Sequence, residues 1–207
     1  MASAYRAVLG EAFDDLHPRL RAYFDAVPPG AVGRGRGVFD TVGTPRPLLR
    51  LLLAPFARAG ILFPVWERDV PFTVENRPTT RPGGAPAVRA VRRFALRGAT
   101  REMRDEIGVR DGVLIDRLGR PVRVVAWFAA SVVDGGLRLR STRVAVRAFG
   151  LAVTLPRAIA PVVELVERFD DASERQHVTL TVTVPLLGRV YEYAGRFRYA
   201  IEGEGRG

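Results

Sequence analysis

From Val65 onward, apolar and polar positions alternate with a period near two, whereas the stretch before it repeats every three to four residues. A period of two puts one set of side chains on one face of a strand, and a period of 3.6 builds a helical stripe. Tyr5, Val8, Leu9, Phe13 and Leu16, then Leu20, Tyr23, Phe24 and Val27, follow the helical spacing. Ser3 suits an N-cap, and Pro18 suits a first helical turn while breaking a continuous helix. Two short helices are therefore predicted, meeting near Asp15–Pro18 and ended by Pro28-Pro29-Gly30. A third is predicted from Thr44-Pro45 through Leu48 and Phe56 toward Gly60. Its leucines lie almost all round, so it is expected to be deeply buried or set against lipid.

Strands are predicted over Val65–Glu75, Ala87–Leu96, Thr100–Val109, Val113–Leu118, Val122–Val133, Leu137–Phe149, Val162–Phe169, Gln176–Val184 and Arg189–Glu202. Between them stand turn residues such as Pro82-Gly83-Gly84, Asp111-Gly112 and Asp134-Gly135-Gly136. Links this short make antiparallel hairpins and not parallel crossovers. In Leu137–Phe149, Arg138 and Arg140 share one parity, and Arg143 and Arg147 share the other. Either a bulge at Ser141-Thr142 resets the register, or the strand passes from one exposed face to another. Gly33, Gly35 and Gly37 would share one face of a strand, leaving room for a backbone, a ring or a ligand to come close.

The expected architecture is one α+β domain over 1–207. Its helical part spans about 1–62 and its antiparallel sheet about 63–204, curved like a half-barrel and packed on the N-terminal helices and the leucine-rich helix.

Charge sharpens this picture. All basic residues are Arg, and between Arg81 and Arg147 fifteen arginines face six acids, leaving nine of the ten net positive charges in that third of the chain. Such a sheet could recruit an acidic partner, an anionic lipid surface or nucleic acid. Arg89, Arg93, Arg97, Arg101 and Arg104 around Phe94 lack a nucleic-acid motif, so nucleic acid is disfavoured. No cysteine is present, which excludes thiol catalysis and Cys-ligated zinc. Met1–Phe13 has no secretory pattern, and a cytoplasmic location, peripheral to the inner face of a membrane, is expected.

Several pieces together resemble the bacterial family called domain of unknown function 4166. They are YRAVLGEAFDDLHPRLRAYFD, WERDVPFTVE, RRFALRGATREM, DGGLRLRSTRVAVRAFGLAVTLPRAIAP and VTVPLLGRVYEYAGRF. The resemblance spans nearly the whole chain and carries no chemical motif. It implies a small domain that occurs alone or joined to dehydrogenase-like modules, hence an accessory role.

No catalytic residue, cofactor or metal is assigned from the sequence. Gly33-Arg34-Gly35-Arg36-Gly37 fails the dinucleotide fingerprint because Val38 stands where the third glycine belongs. His17 and His177, the only histidines, have no ligand spacing. Glu164 and Glu167 with Asp170 or Asp171 read as an acidic edge. The leading expectation is a non-catalytic or accessory domain that holds an apolar or amphipathic small molecule, with peripheral membrane contact. Leu52, Phe56, Trp66, Trp127, Phe149, Tyr191 and Tyr193 are the candidate ligand-lining residues. Arg138, Arg140, Arg143 and Arg147 are the candidate anion-binding residues. The alternatives are a module that docks an oxidoreductase partner, and an enzyme using dispersed acidic residues.

Overall fold

A computed structural model of the protein describes residues 3–81, 83–148 and 151–203. Helix α1 (Ala4–Leu9) is capped by Ser3, whose Oγ accepts from the Arg6 N–H at 3.0 Å. A 3-10 turn over Gly10–Asp15 joins it to α2 (Pro18–Phe24), which begins at the expected proline. Strand β1 (Ala31–Gly43) and helix α3 (Leu49–Arg58) follow. The rest is β2 (Trp66–Thr80), β3 (Pro86–Leu96), β4 (Ala99–Arg110), β5 (Val113–Leu118), β6 (Val124–Val133), β7 (Gly136–Ala148), β8 (Leu151–Thr154), β9 (Val162–Asp170), β10 (Arg175–Val184) and β11 (Gly188–Gly203).

The eleven strands form one sheet in the order β6-β5-β4-β3-β2-β1-β11-β10-β9-β7-β8, and β6 also pairs with β7. All pairings are antiparallel. Every strand except β8 thus belongs to a closed ring of ten, and the expected half-barrel is a full barrel. Alternation fixes which face of a strand is buried. Closure rests on long-range pairing of β1 with β11 and β7 with β9, which leaves no local mark in the sequence.

The glycine stripe of β1 turns inward. A Cβ on Gly33 would stand 1.6 Å from the Tyr199 hydroxyl, and one on Gly37 2.5 Å from the Phe197 Cβ. Aromatic rings of β11 fill the space that those glycines leave. In β7 the bulge settles the register question. Trp127 opposes Arg143 while Phe128 opposes Ser141, so Thr142 is the extra residue, and its Oγ1 donates to the Trp127 carbonyl at 3.2 Å. With that reset, Leu137 and Leu139 before the bulge and Val144 after it all join the same buried cluster.

One end of the barrel is plugged by the N-terminal helices. Phe13, Leu16, Leu20 and Phe24 are buried against Leu114, Phe128, Leu137 and Leu139. The His17 N–H donates to the Gly135 carbonyl at 2.9 Å, which fixes the plug to the β6–β7 turn. Toward the other end the interior is an aromatic stack. Phe39 lies 3.8 Å from Phe72 and 4.9 Å from Tyr193, and Phe63 lies 5.2 Å from Phe94, ring centre to ring centre.

The leucine-rich helix departs from expectation. α3 lies outside the barrel, with Leu48 91% and Leu51 84% exposed. The barrel has no concavity left for it, because aromatic side chains and the N-terminal plug already occupy the interior. The segment after α3 closes the second end instead: Ile61 and Phe63 are buried, and the Ala59 and Gly60 carbonyls accept from the Arg120 and Arg104 amides.

Candidate functional site

Between the plug and the aromatic stack lies a charged layer. In β3, Ala90, Arg92 and Phe94 share the inward parity, so the alternation that buries Phe94 also carries a guanidinium inside. The same logic takes Asp105 inward between Met103 and Ile107, and Asp116 inward between Leu114 and Leu118. Glu167 turns in between Leu165 and Phe169, and Gln176 and Asn76 complete the layer from β10 and β2. Burying ions this way is unfavourable unless they are paired and hydrogen-bonded.

Arg92 donates to Asp105, and Gln176 donates to Glu167. The layer remains short of donors. Asn76 Oδ1, Asp105 Oδ2 and Asp116 Oδ1 are buried without a partner among the described residues. One partly open space of about 30 Å³ is lined by Tyr5, Tyr23, Asn76, Arg92 and Asp105. A second, of about 10 Å³, lies on the other side of Tyr23 and Arg92 against Glu167 and Tyr193. A water needs about 10–15 Å³, so the first space accommodates about two and the second barely one.

Protonation follows burial. Desolvation pushes the Glu167 carboxyl up to about 7, against the lowering effects of Gln176 and Arg92. Asp116 is pushed well above the usual carboxylate range, first by burial and then by the charge of Asp105. Burial also raises Asp105, opposed by Arg92. Tyr5 and Tyr23 are raised by burial and stay protonated donors near neutral pH. Burial thus favours the neutral form of Asp116, Arg92 opposes the same effect at Asp105, and Glu167 titrates near 7.

The sequence-derived residues do not converge on this layer. Tyr191 and Tyr193 are buried in the aromatic stack, and Tyr193 borders the smaller space. Trp127 takes the outward parity of β6, with the Arg143 guanidinium 3.6 Å above its ring. Phe56 and Trp66 are half-buried, away from both spaces. The Leu52 side chain and Phe149 lie outside the described residues. Arg138 and Arg140 both reach Glu164 on the outer wall, and Arg147 is exposed there. Glu164 therefore faces outward while Glu167 faces inward, and Asp170 is bound by Ser173 at 2.5 Å. The overlooked residues are Asn76, Arg92, Asp105, Asp116 and Gln176. Their signal was a polar residue at the apolar parity of an alternating strand.

Fold and site together define a closed antiparallel barrel with a helical plug and a charged centre. The chain belongs to the family described as Domain of unknown function (DUF4166), whose sequence profile matches residues 16–197. It is 25% identical over 188 residues to the "Uncharacterized protein YndH" of Bacillus subtilis (strain 168), covering 88% of this chain and 90% of that protein. The crystal structure of Rv2717c from M. tuberculosis is similar with a TM-score of 0.39 at 15% identity, covering 89% of this chain and 99% of that one.

Proposed function

We propose that the barrel is a non-catalytic binding module that holds a small amphipathic molecule at its charged centre. One observation carries the reading: buried acceptors on Asp105 and Asn76 face the larger space and lack donors among the described residues. A hydroxyl or amino group of a ligand would satisfy both. Its apolar part would lie along Tyr23, Phe24, Val27 and Val88, which line the same space. The wall formed by the N-terminal helices must yield to admit it, since the space in this form suits about two waters. Native mass spectrometry of the purified protein tests this. A small-molecule adduct is expected on the wild type and lost in Asp105→Asn and Asn76→Leu. A bare protein mass, with the space filled by water in a high-resolution crystal structure, overturns it.

The proximity of Asp105 and Asp116 favours a second reading, acid–base chemistry. In that case the retained molecule should differ chemically between wild type and Asp116→Asn. An identical molecule in both would sink it.

A further inference from the structure

From exposure, charge and backbone together, we infer that the end of the barrel opposite the plug docks on an anionic lipid surface, through α3 and the β10–β11 hairpin. Both elements lie at that end: β1 runs from the plugged rim down to α3, and β10 runs down to Pro185-Leu186-Leu187. They adjoin each other there. The Arg46 guanidinium approaches to 3.1 Å from where a Cβ of Gly188 would stand.

This tip is built against the rules of a water-facing surface. Leu48 is 91%, Leu51 84% and Leu186 103% exposed. Leu48 and Leu51 are three positions apart and share one side of the helical turn. Leu186 sits in the left-handed region at φ 65°, where Asn or Gly is easier and a branched apolar side chain is disfavoured. A strained residue that is also fully exposed calls for a reason outside the fold.

Charge identifies the partner. Between Asp40 and Glu67 the chain has no acid, only Arg46, Arg50 and Arg58. All three are exposed, and none makes an ion pair among the described residues. Several arginines of the barrel wall are matched by acids, as in Arg93–Glu102, Arg89–Glu106 and Arg196–Asp40, whereas the stretch between Asp40 and Glu67 supplies no acid of its own. Unmatched cations around protruding leucines suit phosphate head groups above an acyl layer. At ten residues α3 is too short to cross a bilayer, so it would lie in the interface.

The inference stands apart from the interior site, because an empty barrel would still dock. Vesicle flotation tests it. The full chain should float with phosphatidylglycerol–phosphatidylcholine vesicles at low salt, float less as salt rises, and stay down with phosphatidylcholine alone. Leu48→Asn with Leu51→Asn should lower binding tenfold or more, and Arg46→Gln with Arg50→Gln by about fivefold per charge. Leu186→Asn gives a split readout: weaker binding but a slightly more stable fold, since Asn accepts the positive φ. Three results overturn the inference. They are no flotation with anionic vesicles, flotation indifferent to the leucine substitutions, or a dimer that those substitutions dissolve, which would make a second copy the occupant.

Discussion

The Tyr199 hydroxyl lies 1.6 Å from where a Cβ of residue 33 would stand, so Gly33 and Tyr199 share one volume. Tyr199 in turn packs edge-on against Tyr23 of the plug at 4.6 Å, linking the glycine stripe to the closed end of the barrel. Gly33→Ala should destabilise by about 1–3 kcal/mol, the usual range for overpacking. Gly37→Ala should be worse, because its Cβ would meet the Arg196 carbonyl at 2.1 Å, and backbone cannot rotate away as a tyrosine can. Urea denaturation of the two variants checks the order.

Stability should fall as pH rises from about 4.5 to about 7. The Glu167 carboxyl titrates near 7 in the folded barrel, against an ordinary value of 4.5, because burial disfavours its charge. The folded state therefore binds more protons than the unfolded chain across that window, which lowers stability with increasing pH. A shift of this size is worth about 3 kcal/mol, fully lost above the folded value. Asp105 and Asp116 are raised too and act in the same direction. Thermal unfolding at pH 5 and pH 8 should show the drop, and Glu167→Gln should lessen it, leaving the share of Asp105 and Asp116.

Removing one member of the buried pair should harm the fold more than removing both. Arg92→Met leaves Asp105 charged and unpaired in the interior, a loss of about 3–5 kcal/mol. Adding Asp105→Leu should recover a large part of that, and a double-mutant cycle in urea measures the coupling. Additive losses would show that the two side chains do not act together.

Thr142 should tolerate both substitution and deletion. Thr142→Ala removes only an exposed hydrogen bond to the Trp127 carbonyl, about 1 kcal/mol. Deletion joins Ser141 to Arg143 in a regular ladder: Ser141 still opposes Phe128 and Arg143 still opposes Trp127, so Val144 stays inward, Arg143 stays outward and the β7 wall should still close. Circular dichroism and urea denaturation check both variants, and a loss of β signal on deletion would show that closure needs the bulge.

How far the fold was legible depended on whether its cause was local. Asp111-Gly112 and Asp134-Gly135 predict hairpins because two consecutive positive φ values suit those residues, and the structure has φ 54° and 73°, then 50° and 72°. The Val178–Val184 alternation and the parity slip in β7 were readable for the same reason. β8 was not, since all four of its residues are exposed and nothing alternates. α3 misled because a helix apolar all round signals burial only if a partner exists, and periodicity cannot reveal that the barrel was already full. The charged layer escaped because Arg92, Asp105 and Asp116 each look like one irregular position in an ordinary strand. Only the barrel's closure brings them together.

The pairing of β1 with β11 sets the timetable of assembly. β1 is translated before every other strand of the barrel, and its second neighbour, β11, after all of them. Until then one side of β1 has open hydrogen-bonding groups, and the niches at Gly33 and Gly37 await the rings that fill them. Arg34 and Arg36 point outward along that waiting edge, where charge disfavours pairing with another chain.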